Sequence, residues 1–206
     1  VRGKRVKGEG MRPRTKWFIQ VGLATVIALV LHFGPSDLHS VAIPGIANRI
    51  DIGLLWLPFA IFWILTFSNA VNLTDGLDGL AGILTATAFM AYAIIAYLQS
   101  FAGAAPGEAV QLSNLVPFSL IVVGAILAFL WFNAHPAQLF MGDTGALALG
   151  ATLAVVALMT GQWLLLPIIA LVPIAETVSV SAQVMYFKYT KRRFGEGRRL
   201  FKMAPL

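Results

Sequence analysis

Two long stretches of this chain, residues 52–74 and 79–107, contain no charged side chain. An α-helix crosses the hydrocarbon core of a bilayer with about 20 predominantly apolar residues, so each stretch is long enough to do so. Hydrophobic residues make up 58% of the 206 residues and charged residues only 12%, whereas soluble domains carry about 25% charged residues. The sequence therefore predicts an all-α fold, a polytopic bundle of membrane helices that forms a single membrane domain over residues 1–206.

Six segments have the length and composition of membrane spans: residues 17–33, 53–71, 79–98, 114–133, 145–161 and 163–187. The first follows a basic stretch, as in a secretory signal peptide, but no small-residue cleavage site comes after Phe33. We therefore interpret it as a membrane helix. Because the chain starts at Val1 rather than at a methionine, we expect it to be a fragment of a longer protein and inactive on its own.

Lysine and arginine are concentrated at the two ends of the chain. Seven of the fifteen lie in residues 1–16 and seven in residues 188–202. By the positive-inside rule, the basic segments 1–16 and 188–206 are predicted to be cytoplasmic. Both ends can lie on one side of the membrane only if the number of spans between them is even. Six spans satisfy that requirement and put the turns at residues 72–78 and 133–144 on the same side as the two ends. We expect the basic segments to face the lipid bilayer surface and not nucleic acid, because they flank membrane spans.

The connections on the opposite side carry weaker signals. The connection of residues 34–51 contains Pro44 and Gly45, which predict a short hairpin turn. Residues 99–113 contain glycine and proline and are predicted to be an external connecting loop.

The last predicted span is interrupted by Pro167 and Pro173 and contains Glu176. Proline breaks or kinks a helix, so we predict a bent helix in one or two pieces. A broken helix with an intramembrane carboxylate also raises the alternative of a membrane transporter. Transporter sites lie near the bilayer midplane, whereas the aspartates of this chain are predicted at one edge.

A polar cluster separates the second and third predicted spans, in the sequence NAVNLTDGLDGLAG of residues 69–82. It contains Asn69, Asn72, Asp75 and Asp78. A charge at the bilayer centre costs about 2.5–3.5 kcal/mol on insertion scales, so both aspartates are predicted at a membrane edge, facing water or a polar cleft. Their spacing of three residues would place them on one face of a helical start. A helix cap is the alternative, but a cap needs one such side chain, and four favour a ligand site.

A second cluster, WFNAHPAQLFMGDTG at residues 131–145, contains Asp143, the only charged residue of residues 109–175. Mg²⁺ is usually held by one or two carboxylates together with substrate phosphates, so a lone aspartate between glycines suits a metal–diphosphate site. The alternative is an N-cap of the fifth span. We interpret His135 as an anchoring or hydrogen-bonding residue, with a ligand or a base as the alternative. Phe140 is either a membrane anchor or a stacking surface.

The third and fourth spans connect the two clusters. If these spans form an antiparallel pair, residue 133 returns close to residue 79, and the aspartates of both clusters converge beside the lipid headgroups. Small residues at a spacing of four, Ala146, Gly150 and Ala154, predict close packing of the fifth span against another helix.

The motifs NAVNLTDGLDGLAG and FNAHPAQLFMGDTGALALG, together with the terminal FKMAPL, resemble those of the phospho-N-acetylmuramoyl-pentapeptide transferases, also called translocase I. The resemblance extends over essentially the whole chain. This superfamily transfers a sugar 1-phosphate from a UDP-sugar to a polyprenyl phosphate. Its fold is a bundle of ten spans, of which this chain would supply the later middle six.

The resemblance also implies roles for individual residues. It implies that Asp143 ligates Mg²⁺, the expected cofactor, and that Asp75 and Asp78 join it as catalytic residues. The implied substrate-binding residues are Asn72 and Asn133 in the nucleotide site, Phe140 stacked on the uracil, and Lys16. The family's paired-aspartate and histidine motifs would lie before Val1 and after Leu206, so the general base is not assigned.

The implied reaction transfers phospho-N-acetylmuramoyl-pentapeptide from UDP-MurNAc-pentapeptide to undecaprenyl phosphate, giving lipid I and UMP for peptidoglycan synthesis. The implied location is the cytoplasmic face of the bacterial inner membrane, and a homodimer is a further expectation. The MAPL ending favours this branch over the polyprenyl-phosphate N-acetylglucosamine-1-phosphate transferases, whose corresponding loop is arginine-rich. Phosphoryl transfer depends mainly on positioning and charge neutralisation, and the basic ends would attract both anionic substrates.

Overall fold

The computed structural model describes residues 13–34, 38–43, 49–102 and 106–202. Within these ranges the chain forms seven α-helices and one short antiparallel ribbon, which confirms the all-α fold class. The helices are α1 (Pro13–Phe33), α2 (Trp56–Thr74), α3 (Leu80–Phe101), α4 (Pro106–Asn133), α5 (Gly142–Met159), α6 (Leu166–Ile169) and α7 (Leu171–Phe194). The ribbon pairs β1 (Ser40–Val41) with β2 (Ile50–Asp51).

Helices α1 to α5 are each long and apolar enough to cross a membrane, and α6 with α7 makes a sixth span if the bent pair is counted as one. The chain is therefore a multi-pass membrane protein. Helices α6 and α7 meet at an angle of 79°, which confirms the predicted bend in the last span. Pro173 accounts for the break, because it has no N–H to donate to the carbonyl four residues earlier. Ala170, between the two helices, leaves the helical conformation at φ −103° and ψ 43°.

Helices α2 and α5 pack almost backbone to backbone. A Cβ atom built on Gly150 would lie 2.3 Å from the carbonyl oxygen of Phe67. Ala146 and Ala154, on the same face of α5, are fully buried, which confirms the close packing predicted from the small residues. The Ser68 hydroxyl donates a 2.9 Å hydrogen bond to the carbonyl of Leu147. The C-terminal end of α2 and the N-terminal end of α5 are thereby held together.

Helices α3 and α4 form the predicted antiparallel pair. The backbone N–H of Gly79, just before α3, donates a 3.0 Å hydrogen bond to Oδ1 of Asn133, at the end of α4. The prediction of a loop at residues 99–113 was wrong for most of its length, because α3 continues to Phe101 and α4 begins at Pro106. Proline suits the first turn of a helix, where its missing N–H would have no partner, and the carboxylate of Glu108 favours the same turn.

The other end of the bundle is closed by the ribbon. Its strands flank the hairpin predicted around Pro44 and Gly45, although that turn lies outside the described residues. Arg49, just before β2, forms a 2.6 Å ion pair with Glu108 at the start of α4. Pairing across this end ties the ribbon to α4.

Candidate active site

Two turns meet at one end of the bundle: residues 75–79 between α2 and α3, and residues 134–141 between α4 and α5. Oδ2 of Asp78 accepts a 3.1 Å hydrogen bond from the backbone N–H of Ala137. The same oxygen lies 3.1 Å from Nδ1 of His135, so His135 is a hydrogen-bonding residue, as interpreted from the sequence. Asp78 thus connects the two turns.

The structure confirms the predicted turn between the second and third spans, and the helical start considered for Asp75 and Asp78 is not observed. Both lie in the turn after α2, and α3 starts at Leu80. The left-handed conformation of Gly79, with φ at 76°, lets the chain reverse at this point. No side chain caps the first turn of α3, and the Thr74 hydroxyl donates to Ala70 within its own helix. The capping alternative for this cluster is therefore not the observed arrangement.

Asn133 is buried between the two turns and bonded at both ends of its amide. Its Oδ1 accepts from Gly79, and its Nδ2 donates a 2.8 Å hydrogen bond to the carbonyl of Leu139. Asn133 therefore fixes the relative position of the two turns. Its predicted contact with a nucleotide stays a prediction.

The turns enclose a polar cavity of about 230 Å³. Its lining includes all the predicted site residues except Lys16: Asn72, Asp75, Asp78, Asn133, Phe140 and Asp143. Phe140 is 72% exposed, so its ring is accessible to a ligand. Asn69, which the sequence grouped with these residues, instead donates to Oε1 of Gln20 at 3.1 Å and is not part of this lining.

Asp143 lies in the first turn of α5, whose N-cap position is Met141, and the Met141 side chain makes no capping hydrogen bond. The N-cap alternative for Asp143 is therefore not observed. Its Oδ2 lies 2.6 Å from Nζ of Lys16, at the start of α1. Its Oδ1 accepts a 3.2 Å hydrogen bond from Nδ2 of Asn72, on α2. One carboxylate thus joins three helices, and Lys16 reaches the cavity through it.

Comparison with known proteins decides the family. The model of glycosyl transferase family 4 matches residues 9–161 of this chain. The chain belongs to that family. Three relatives carry the name phospho-N-acetylmuramoyl-pentapeptide-transferase. The protein from Chloroflexus aurantiacus is 50% identical over 99% of this chain, that from Chlorobium limicola 48% over 98%, and that from Streptococcus thermophilus 44% over 96%.

The chain spans about half the length of these relatives, between 54% and 57%. The matched segment of family 4 includes both turns and every residue of the cavity lining. The residues that form the cavity therefore all lie within the part of the chain that defines the family.

Asp75 and Asp78, in the turn between α2 and α3, have opposite pKa shifts. Burial raises the pKa of Asp75 above its ordinary value; a hydrogen bond from the backbone N–H of Gly142 opposes that shift, and the negative charge of Asp143 adds to it. The N–H of Ala137 and then the ring of His135 lower the pKa of Asp78. The ionised form of Asp78 is thus stabilised by its surroundings. The ionised form of Asp75 is destabilised, and a positive charge placed beside it would stabilise it.

The donor set of the cavity suits a hard divalent cation. Asp75, Asp143 and Asn72 all line it, and Oδ1 of Asn72 is buried without a hydrogen-bond partner. Mg²⁺ accepts carboxylate and amide oxygens and usually takes one or two carboxylates plus substrate phosphates. Within the described ranges no three acidic, histidine or cysteine side chains are grouped to hold a metal. A cation here would therefore complete its coordination with water molecules or substrate phosphates.

Sequence reasoning missed the backbone donors of this site. The N–H groups of Ala137 and Gly142 contact Asp78 and Asp75, and nothing in their side chains identifies them. Lys16 was named only through the family resemblance. A lysine within a basic N-terminal stretch gives no signal that it pairs with an aspartate 127 residues later.

Proposed function

We propose that the protein containing this chain transfers phospho-N-acetylmuramoyl-pentapeptide from UDP-MurNAc-pentapeptide to undecaprenyl phosphate, with release of UMP. The observation that carries the proposal is the convergence of Asp75, Asp78 and Asp143 in one polar cavity at the end of a membrane bundle. The name of the relatives supports the same reaction. A nucleotide from the aqueous phase and a phosphate carried by a membrane lipid can both reach such a position.

The cavity residues have separate tasks in this proposal. Asp143, Asp75 and Oδ1 of Asn72 would hold Mg²⁺, which supplies charge neutralisation for the diphosphate when bound. Phe140 offers an exposed aromatic face for the uracil. Asp78 stays ionised, because Ala137 and His135 donate to it, and accepts hydrogen bonds from nucleotide hydroxyl or amide groups.

Lys16 and the packing of the helices complete the proposed site. The ammonium group of Lys16, next to Asp143, attracts phosphate oxygens of either substrate. Asn133 keeps the two turns in register, so that the carboxylates are positioned before a substrate arrives. Positioning of this kind is the main contribution a protein makes to phosphoryl transfer.

The proposed location is the bacterial inner membrane, with the cavity on the cytoplasmic face. The basic residues of 1–16 and 188–202 support that orientation through the positive-inside rule. Homodimer formation remains a prediction. A transporter is less well supported, because the aspartates lie at one end of the bundle, whereas transporter sites lie near the midplane.

The test is UMP release by the complete protein, purified in detergent with undecaprenyl phosphate and Mg²⁺. We expect turnover with UDP-MurNAc-pentapeptide and little with UDP-N-acetylglucosamine. Turnover with UDP-N-acetylglucosamine alone would support the alternative, the N-acetylglucosamine-1-phosphate transferase. Absence of UMP release with both donors, in protein that remains folded, would contradict the proposal.

A further inference from the structure

The ion pair between Lys16 and Asp143 occupies the carboxylate best placed to bind a cation. Nζ of Lys16 lies 2.6 Å from Oδ2 of Asp143, and Nδ2 of Asn72 lies 3.2 Å from Oδ1. Both carboxylate oxygens therefore have donors. A cation that ligates Asp143 must share this carboxylate with a lysine ammonium or displace it.

Sharing is electrostatically unfavourable. A ligand oxygen lies about 2.0–2.1 Å from Mg²⁺, so an ammonium 2.6 Å from the same carboxylate oxygen would be only a few ångströms from a divalent charge. Two positive charges at such a separation repel each other strongly. Binding of a divalent cation to Asp143 therefore favours departure of the Lys16 ammonium.

We propose that Lys16 is an exchangeable counter-ion of Asp143. It neutralises the carboxylate until a divalent cation binds, and its ammonium then turns to the phosphate oxygens of a substrate. The second half of this statement rests on the proposed function. The first half concerns only the protein and the cation.

The surroundings of Lys16 permit this exchange. The Lys16 side chain is 33% exposed and that of Asp143 is 70% exposed, and ion pairs in such exposed positions are weak. The Lys16 side chain has a flexible four-carbon stem. It borders an apolar groove of about 340 Å³ between α1, α2 and α5, lined by residues such as Leu23, Ile64 and Leu147. The stem can stay against this groove while the ammonium changes partner.

The groove and the polar cavity meet at this ion pair. Lys16 and Thr144 border the groove, and Asp143 borders the cavity. An ammonium released from Asp143 therefore remains at the boundary between an apolar surface and a polar one. A lipid phosphate arriving from the membrane would meet its positive charge at that boundary.

The test is a titration of the complete protein with Mn²⁺ in the absence of any substrate. The concentration of free Mn²⁺ is measured by electron paramagnetic resonance. Mn²⁺ shares the oxygen-ligand preference of Mg²⁺. We expect Lys16→Met to bind Mn²⁺ about two- to tenfold more tightly than the wild-type protein, because a competing exposed ion pair is removed. Lys16→Arg keeps the charge and should stay close to wild type.

Two controls separate local competition from general charge. Lys191→Met removes one positive charge from α7, outside the described cavity lining, and should leave Mn²⁺ affinity unchanged. In an Asp143→Asn background, Lys16→Met should no longer tighten binding. Lys16→Gln, which keeps a polar side chain, repeats the measurement if Lys16→Met does not fold.

The proposal requires that the Mn²⁺ affinity and the rate of UMP release of Lys16→Met change in opposite directions. We expect tighter Mn²⁺ binding together with slower UMP release for Lys16→Met, because the ammonium is also missing from the phosphates. Unchanged or weaker Mn²⁺ binding by folded Lys16→Met, or by Lys16→Gln, would overturn the proposal. Tighter binding in a protein that releases no UMP in its wild-type form would refute the proposed function and leave the counter-ion role intact.

Discussion

The contact of Gly150 with α2 makes the site sensitive to a single methyl group. In Gly150→Ala the new Cβ would lie 2.3 Å from the carbonyl oxygen of Phe67 and 2.8 Å from Cα of Ser68. Ordinary van der Waals contact begins at 3.4 Å, so α2 and α5 must separate by about 1 Å. Both obstructing atoms belong to the backbone, and no side-chain rotation can remove the clash.

A separation of α2 from α5 should also move apart two residues of the cavity lining, because α2 carries Asn72 and α5 carries Asp143. Their 3.2 Å hydrogen bond does not survive a 1 Å displacement. Overpacking costs about 1–3 kcal/mol of stability, and a 1 Å misplacement of catalytic groups can lower turnover on the order of 10²-fold. We therefore expect Gly150→Ala to reduce both thermal stability and turnover.

The assay measures UMP release and the unfolding temperature of the complete protein in the same detergent. The matched control is Gly124→Ala in α4, where an added Cβ has no described atom within 4 Å. Turnover of Gly150→Ala within twofold of wild type, with an unchanged unfolding temperature, would refute the reasoning from helix packing to site geometry.

Three further predictions concern single residues. Asp75→Asn should raise the unfolding temperature at neutral pH, because the raised pKa of Asp75 means that its ionised form opposes folding. The stability of the wild-type protein rises as the pH falls through the folded-state pKa of Asp75, so the difference in unfolding temperature between the two proteins should vanish below the ordinary pKa of 3.8. Asn133→Ala should cost about 1–3 kcal/mol in denaturant unfolding, since it leaves the buried N–H of Gly79 and the carbonyl of Leu139 without their partner. Cysteines replacing Asp75 and Glu108 in this cysteine-free chain should label from opposite sides of the membrane, Glu108→Cys from outside; labelling of both from one side would contradict the topology.

Much of the architecture follows from hydropathy, because apolar length alone separates membrane spans from their connections. The bend before α7 was predictable from Pro173, and the contact of α2 with α5 from Gly150 and its small neighbours. The convergence of the aspartates followed from an antiparallel pair of spans. The start of α4 was placed too late, because a helix that begins with proline and glycine resembles a loop in composition.

The details of the site were less accessible to sequence reasoning. The conformation of the turn after α2 depends on backbone hydrogen bonds across to the other turn, which leave no trace in local composition. Asn133 was predicted as a ligand-binding residue, and its two hydrogen bonds to the backbone became visible only once both turns were in place. The pairing of Lys16 with Asp143 likewise depends on the packing of α1 near α5.

The most direct test of the central claim is the Mg²⁺ dependence of UMP release by the complete protein and its Asp143→Asn variant. Undecaprenyl phosphate and UDP-MurNAc-pentapeptide are the substrates, and Mg²⁺ is titrated from zero. We expect release by the wild-type protein to require Mg²⁺, and the variant to be slower on the order of 10²-fold, because it loses the anionic ligand beside the diphosphate. Near-normal release by Asp143→Asn at low Mg²⁺ would contradict the assignment of this cavity as the site of transfer.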